Sequence, residues 1–181
     1  MASAWDTVFS SPNEFSPTKG RLVHTIPTLG KEWRVGLDFK PTDYNSSGFT
    51  NLLHLTNGGN GGSYGQRTPG VWFSPTYGIH IAASINGNPN YYKNLTVRPP
   101  PVGVWTSLEI SQERVGGKFV FKIVIGGEEI LSVENTQPEV FQDVKVYASD
   151  PWYEPQPGSM KALLIQTKIG QLYFLLLLVY I

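Results

Sequence analysis

The sequence predicts an all-β domain made of two packed antiparallel sheets. Three observations carry that prediction: apolar residues recur at every second position in several short segments, pairs of turn formers stand where those segments end, and the composition is poor in charge. Charged residues make up 15% of the 181, against about 25% in an average soluble domain. The chain also holds 9 Phe, 9 Tyr, 5 Trp, 19 Gly and 14 Pro. Few charges with many aromatics and turn formers exclude a coiled coil, a helical bundle and a disordered chain. The length suits one domain, taken as residues 1–168, followed by a short apolar tail at 169–181.

The strands follow from the alternation. Over 21–26 and 32–40 the second segment is the clearer: Trp33, Val35, Leu37 and Phe39 face one way, and Glu32, Arg34, Asp38 and Lys40 the other. Further strands are expected at 49–56 and 70–73. In the next, Tyr77, Ile79, Ile81, Ala83 and Ile85 oppose Gly78, His80, Ala82 and Ser84. Segments 104–113, 118–125, 128–133, 140–149 and 160–167 complete the set, with Phe119, Phe121, Ile123 and Ile125 on one parity and Lys118 and Lys122 on the other. Val35, Leu37, Phe39, Ile79, Ile81, Phe119, Phe121 and Ile123 are the expected inner face. Such half-polar strands belong to antiparallel sheets, because strands of a parallel sheet are buried on both faces. Asn86-Gly87, Gly116-Gly117 and Gly126-Gly127 are of the type that closes two-residue hairpins. About ten to twelve short strands therefore form two sheets.

Charge and motif content narrow the function classes. The 14 basic residues balance the 14 acidic ones, so there is no basic field to neutralise phosphates and no nucleic-acid partner is expected. No cysteine is present, which removes disulfides and thiolate zinc sites. The start lacks the charged and apolar regions of a secretory signal, and Asn45-Ser46-Ser47 and Asn94-Leu95-Thr96 bear on the matter only if the chain is secreted. Leu172 to Ile181 is continuously apolar but half the length a membrane-spanning helix needs; it is expected to be dispensable. Gly61-Gly62-Ser63-Tyr64-Gly65 matches a nucleophile-elbow pattern, yet no strand precedes it and Gln66-Arg67-Thr68-Pro69 cannot open a helix. His24, His54 and His80 are scattered, with His54 and His80 on the polar parity where an exposed histidine is usual. Glu109 and Glu113 are spaced unlike a glycosidase pair, and Glu128 and Glu129 point to opposite faces of their strand. The sequence therefore predicts no enzyme.

What remains is a binding vocabulary. A polar, glycine-rich loop over 57–67 connects two strands, and loops of this length are commonly functional. In it Asn60, Gln66 and Arg67 offer directional hydrogen bonds, and Tyr64 offers a face for a sugar ring. Tyr91 and Tyr92 form a second cluster, of which one must face outward if the segment is a strand. In a third group, Ser149 to Pro155, Trp152 is expected to seal the edge of the core; Trp33, Trp72 and Trp105 are expected in the core or at its edge.

Taken together, Trp33 to Pro41, Gly70-Val-Trp-Phe73, Trp105-Thr-Ser-Leu-Glu-Ile110, Lys118 to Glu128 and Phe141 to Trp152 resemble, in pattern and order, the concanavalin A-like lectin and glucanase superfamily on its laminin G side. The resemblance implies a jelly-roll β-sandwich serving glycan recognition or adhesion, with an extracellular setting, though the compartment stays open. The galectin H-x-N-P-R constellation and the legume-lectin metal cluster are absent. A laminin-type calcium site would rest on Asp43 or Asp150; no further ligands assemble around either, and no cofactor is expected. The expected function is a noncatalytic module binding carbohydrate or a glycoprotein partner through Asn60, Tyr64, Gln66, Arg67, Tyr91 and Tyr92. The alternative is an adhesive protein-interaction domain without a small-ligand pocket, with glycoside hydrolysis third.

Overall fold

A computed structural model describes residues 4–44, 47–76, 78–95 and 99–169. They form thirteen strands: β1 (Asp6–Ser11), β2 (Leu22–Leu29), β3 (Glu32–Pro41), β4 (Thr50–Thr56), β5 (Gly70–Ser74), β6 (Gly78–Ile85), β7 (Asn88–Leu95), β8 (Thr106–Val115), β9 (Lys118–Ile125), β10 (Glu128–Glu134), β11 (Phe141–Tyr147), β12 (Glu154–Pro155) and β13 (Gly158–Lys168). One sheet runs β1-β13-β3-β8-β9-β10 and the other β2-β11-β4-β5-β6-β7, with β12 paired to β4. Apart from that short parallel pair the ladders are antiparallel. The all-β, two-sheet sandwich is the one the alternation predicts.

The three hairpin turns behave as their residues require. Asn86 and Gly87 have φ of 53° and 76°, Gly116 and Gly117 59° and 85°, and Gly126 and Gly127 60° and 83°. Two successive positive φ values give the turn whose twist matches the strands it joins. Strand β7 carries Pro89, which a sheet tolerates here because β7 is an edge strand and its outer side needs no donor.

The core lies between the sheets. Val35, Leu37, Phe39, Leu108, Ile110, Phe121, Ile123, Leu163 and Ile165 come from the first, and Ile26, Leu53, Leu55, Val71, Phe73, Ile79, Ile81, Val144 and Val146 from the second. Each is withdrawn from water, which supplies the main driving force for folding. Several expectations need correction. Phe119 is only half-buried at the start of β9, outside the core cluster, with the Arg114 guanidinium 5.6 Å from its ring centre. Trp33 is core, but Trp105 is half-buried beneath Lys40 and Lys161. Trp72 is buried yet stands outside the core cluster, because its neighbours Val71 and Phe73 take the inner parity and turn it outward. Trp152 does not seal the core; it is 42% exposed on the outside of the second sheet, beside Tyr147 and His54. Tyr77 and the tail at 172–181 lie outside the described residues, as do Asn45, Ser46 and Thr96.

Candidate functional site: an aromatic face on the second sheet

The outward residues of β4 to β7 form two rows across the strands. In one row Tyr147 pairs with His54, His54 with Gly70, Gly70 with Ala82, and Ala82 with Tyr92. In the other, Asn51 pairs with Trp72, Trp72 with His80, and His80 with Asn94. Directly opposed residues on one face touch, so side chains far apart in sequence become one surface. The row from His54 to Tyr92 crosses three strand spacings, roughly 14 Å. An exposed aromatic stands near each end, Trp152 5.6 Å from the His54 ring and Tyr92 at 55% exposure.

Gly70 makes the floor of this face possible. A Cβ there would lie 2.0 Å from Cη2 and 2.3 Å from Cζ3 of Trp72, so the missing side chain is the space in which the indole lies. Around that ring stand His54 at 5.1 Å, His80 at 5.9 Å and Tyr153 at 5.9 Å. His80 in turn meets Tyr92 at 5.1 Å and sets its Nδ1 2.6 Å from Asn94 Oδ1. Burial lowers the His80 pKa, a shift the Asn94 hydrogen bond opposes and the Arg67 charge reinforces.

Arg67 covers the floor. Its guanidinium lies 4.6 Å above the Trp72 ring, donates from Nη1 to Asn90 Oδ1, and reaches the carbonyl and side-chain oxygens of Asn60 from Nη2 at 3.3 Å. Burial lowers its pKa, offset in part by Tyr153 and Asp150. Two buried donors here, Arg67 Nε and Trp72 Nε1, have no acceptor among the described residues.

The glycine-rich loop that carries Arg67 is held by its own residues. Gln66 Oε1 accepts the amides of Gly61, Gly62 and Ser63 at 3.1, 2.7 and 3.1 Å, so this side chain binds its own loop. Gly61 has φ of 101°, and a Cβ on it would meet Arg67 Nε at 2.7 Å; a side chain there would displace the arginine. Tyr64 packs against Phe141 and donates to the Gln137 carbonyl at 2.8 Å, and burial raises its pKa. Tyr91 packs on the core and Tyr92 points out. Of the six expected site residues the structure thus brings Asn60, Arg67 and Tyr92 to one face, while Tyr64 and Tyr91 pack against the core and Gln66 binds its own loop.

His54, expected exposed, is completely buried. Its Nε2 donates to the Gln66 carbonyl at 2.7 Å, and its Nδ1 lies 2.9 Å from Asp150 Oδ2. Asp150 Oδ1 accepts the amides of Trp152 and Tyr153, and the Asp150 amide donates to Asn51 Oδ1. This buried pair clamps the Arg67 loop to the turn bearing Trp152 and Tyr153. It also commits both Asp150 oxygens to protein groups, while Asp43 Oδ1 accepts the Tyr44 amide. Among the described residues no three His, Asp or Glu side chains cluster as a metal site would require, and no helix follows Ser63. Sequence reasoning missed Trp72, His80, Tyr153, Asn90 and the His54–Asp150 pair. The outward parity of Trp72 between Val71 and Phe73 was the available signal; the others needed the register.

No protein-family profile matches the sequence, and no curated protein matches it either. Solved structures do. The carbohydrate-binding module CBM40 of the Ruminococcus gnavus IT-sialidase, bound to α2,3-sialyllactose, superposes with a TM-score of 0.62 at 15% identity, covering 88% of this chain and 92% of that one. Domain 4 of AbnA, an extracellular GH43 arabinanase of Geobacillus stearothermophilus in complex with arabinotriose, gives 0.53 at 18% identity, over 80% of this chain and 66% of that one. A SAP-like pentraxin of Limulus polyphemus gives 0.55 at 13% identity, over 86% and 73%. At these identities the likeness is one of fold, and the fold is a jelly-roll β-sandwich.

Proposed function

We propose that this protein is a noncatalytic carbohydrate-binding module whose ligand lies along the outer face of the second sheet, against Tyr92, His80, Arg67, Asn60, Asn90 and Trp152. The observation that carries the reading is the composition of that face: rings and amides occupy outward strand positions, and two buried donors lack acceptors. A pyranose presents an apolar C–H face to a tyrosine and hydroxyls to amide and guanidinium groups, the mixture found here. The three strand spacings from His54 to Tyr92, roughly 14 Å, suit more than one sugar ring. The fold likeness to modules solved with arabinotriose and sialyllactose adds support.

A glycan array probed with the full chain, followed by calorimetry on the best hit, tests this. Tyr92→Ala is expected to weaken binding by about 1–3 kcal/mol, as removal of an anchor does, and to change stability by less than about 0.5 kcal/mol. Tyr91→Ala is expected to cost about 2 kcal/mol of stability, because its ring packs on the core. Undiminished affinity in Tyr92→Ala would remove the ligand from this face.

A further inference from the structure

Resting on that reading, we infer that the sugar bound on this face carries a carboxylate, and that Arg67 receives it. A guanidinium has five N–H donors and a permanent charge. The acceptors that hold Arg67 are amide oxygens, Asn90 Oδ1, Asn60 Oδ1 and the Asn60 carbonyl, with the Tyr153 hydroxyl beside it. Nε has no acceptor. Among the described residues no Asp or Glu forms an ion pair with Arg67, although five lysine–carboxylate pairs occur elsewhere in the fold. The nearby acid, Asp150, is already bound by His54 and two turn amides.

The charge of Asp150 offsets part of the cost of burying Arg67, but no carboxylate oxygen bonds the guanidinium, and a partly buried cation without such a bond is costly. Asn60 and Asn90 hold the guanidinium in place without neutralising it, while the Trp72 ring fixes its plane from below. Held in this way, with Nε buried beside Gly61, the guanidinium keeps its remaining Nη hydrogens for a planar two-oxygen anion. The neighbouring Tyr92 and His80 rings would take the rest of the sugar.

The test compares acids with their neutral counterparts on the unmodified full chain: sialyllactose against lactose, and digalacturonic acid against its methyl ester, by calorimetry. At least one acid is expected to bind about tenfold tighter than its neutral partner, the ratio that ~1.4 kcal/mol produces. Arg67→Ala is expected to erase that ratio, and Arg67→Lys to retain part of it. Because the acid-to-neutral ratio is read on the unmodified protein, an unfolded variant does not void the result. Neutral sugars binding as tightly as the acids would overturn the carboxylate assignment and leave carbohydrate binding intact. Stronger binding of a 6-sulfated galactose than of either acid would also overturn it. Failure of every glycan on the array, neutral or acidic, would instead sink the functional reading itself.

Discussion

Replacing Gly70 by alanine adds one methyl group to a strand and tests how the outer face is built. The added carbon would lie 2.0, 2.3 and 3.0 Å from Cη2, Cζ3 and Cζ2 of Trp72, where carbon atoms rest at about 3.5–4.0 Å. The indole must therefore lift by roughly 1.5 Å to restore that separation. It is 1% exposed and lies beneath Arg67, so the arginine must move with it. Forcing a methyl group into a filled site costs about 1–3 kcal/mol, which lowers Tm by roughly 2–12 °C for a domain of this size. Gly36→Ala is the control, since its added Cβ meets nothing within 4 Å on the outer face of the other sheet. That variant is expected to be neutral, or to gain about 0.4–1 kcal/mol from a stiffer unfolded chain. Thermal unfolding by circular dichroism gives both values, and the near-ultraviolet spectrum reports the indole. Equal Tm values for the two variants, with unchanged aromatic spectra, would refute the placement of Trp72 over Gly70.

Two further outcomes follow from the same face. His54→Ala opens a buried cavity and leaves an Asp150 oxygen without its hydrogen-bond donor, and is expected to cost about 3–5 kcal/mol, read as a lower urea midpoint with an unchanged slope; a cost under about 1 kcal/mol would show that the pair is not a clamp. His80 has a folded pKa below its ordinary 6.5 through burial, so as pH falls through 6.5 the unfolded chain takes up a proton before the folded one does, and stability is lost on the acid side. His80→Gln is expected to flatten that loss in a plot of Tm against pH, and an identical acid slope in the variant would contradict the shift.

The strands were legible because alternation is local. Val35, Leu37 and Phe39 declare a buried face within five residues, and Gly126-Gly127 declares a turn, whatever the rest of the chain does. Strand β7 was half legible: Asn88 to Leu95 does not alternate cleanly, and its edge position, which excuses Pro89, is a property of the sheet. Strand β1 escaped because it is short and is defined by pairing with β13 at the far end of the sequence.

Residue chemistry alone singled out Asn60, Tyr64, Gln66, Arg67, Tyr91 and Tyr92, since polar loops and paired tyrosines mark surfaces. It could not tell Tyr92 from Tyr91, because parity depends on where β7 joins β6. Nor could it see that His54 would be buried. Its hydrogen-bond partner lies 96 residues away, and polar parity predicts solvent only when nothing else covers that side of the sheet. The sequence by itself determined an all-β sandwich, its hairpins and most of its core, because each follows from interactions between near neighbours. The tertiary structure decided that His54, Trp72, His80 and Arg67 share one face, because cross-strand register brings together residues that no local pattern connects.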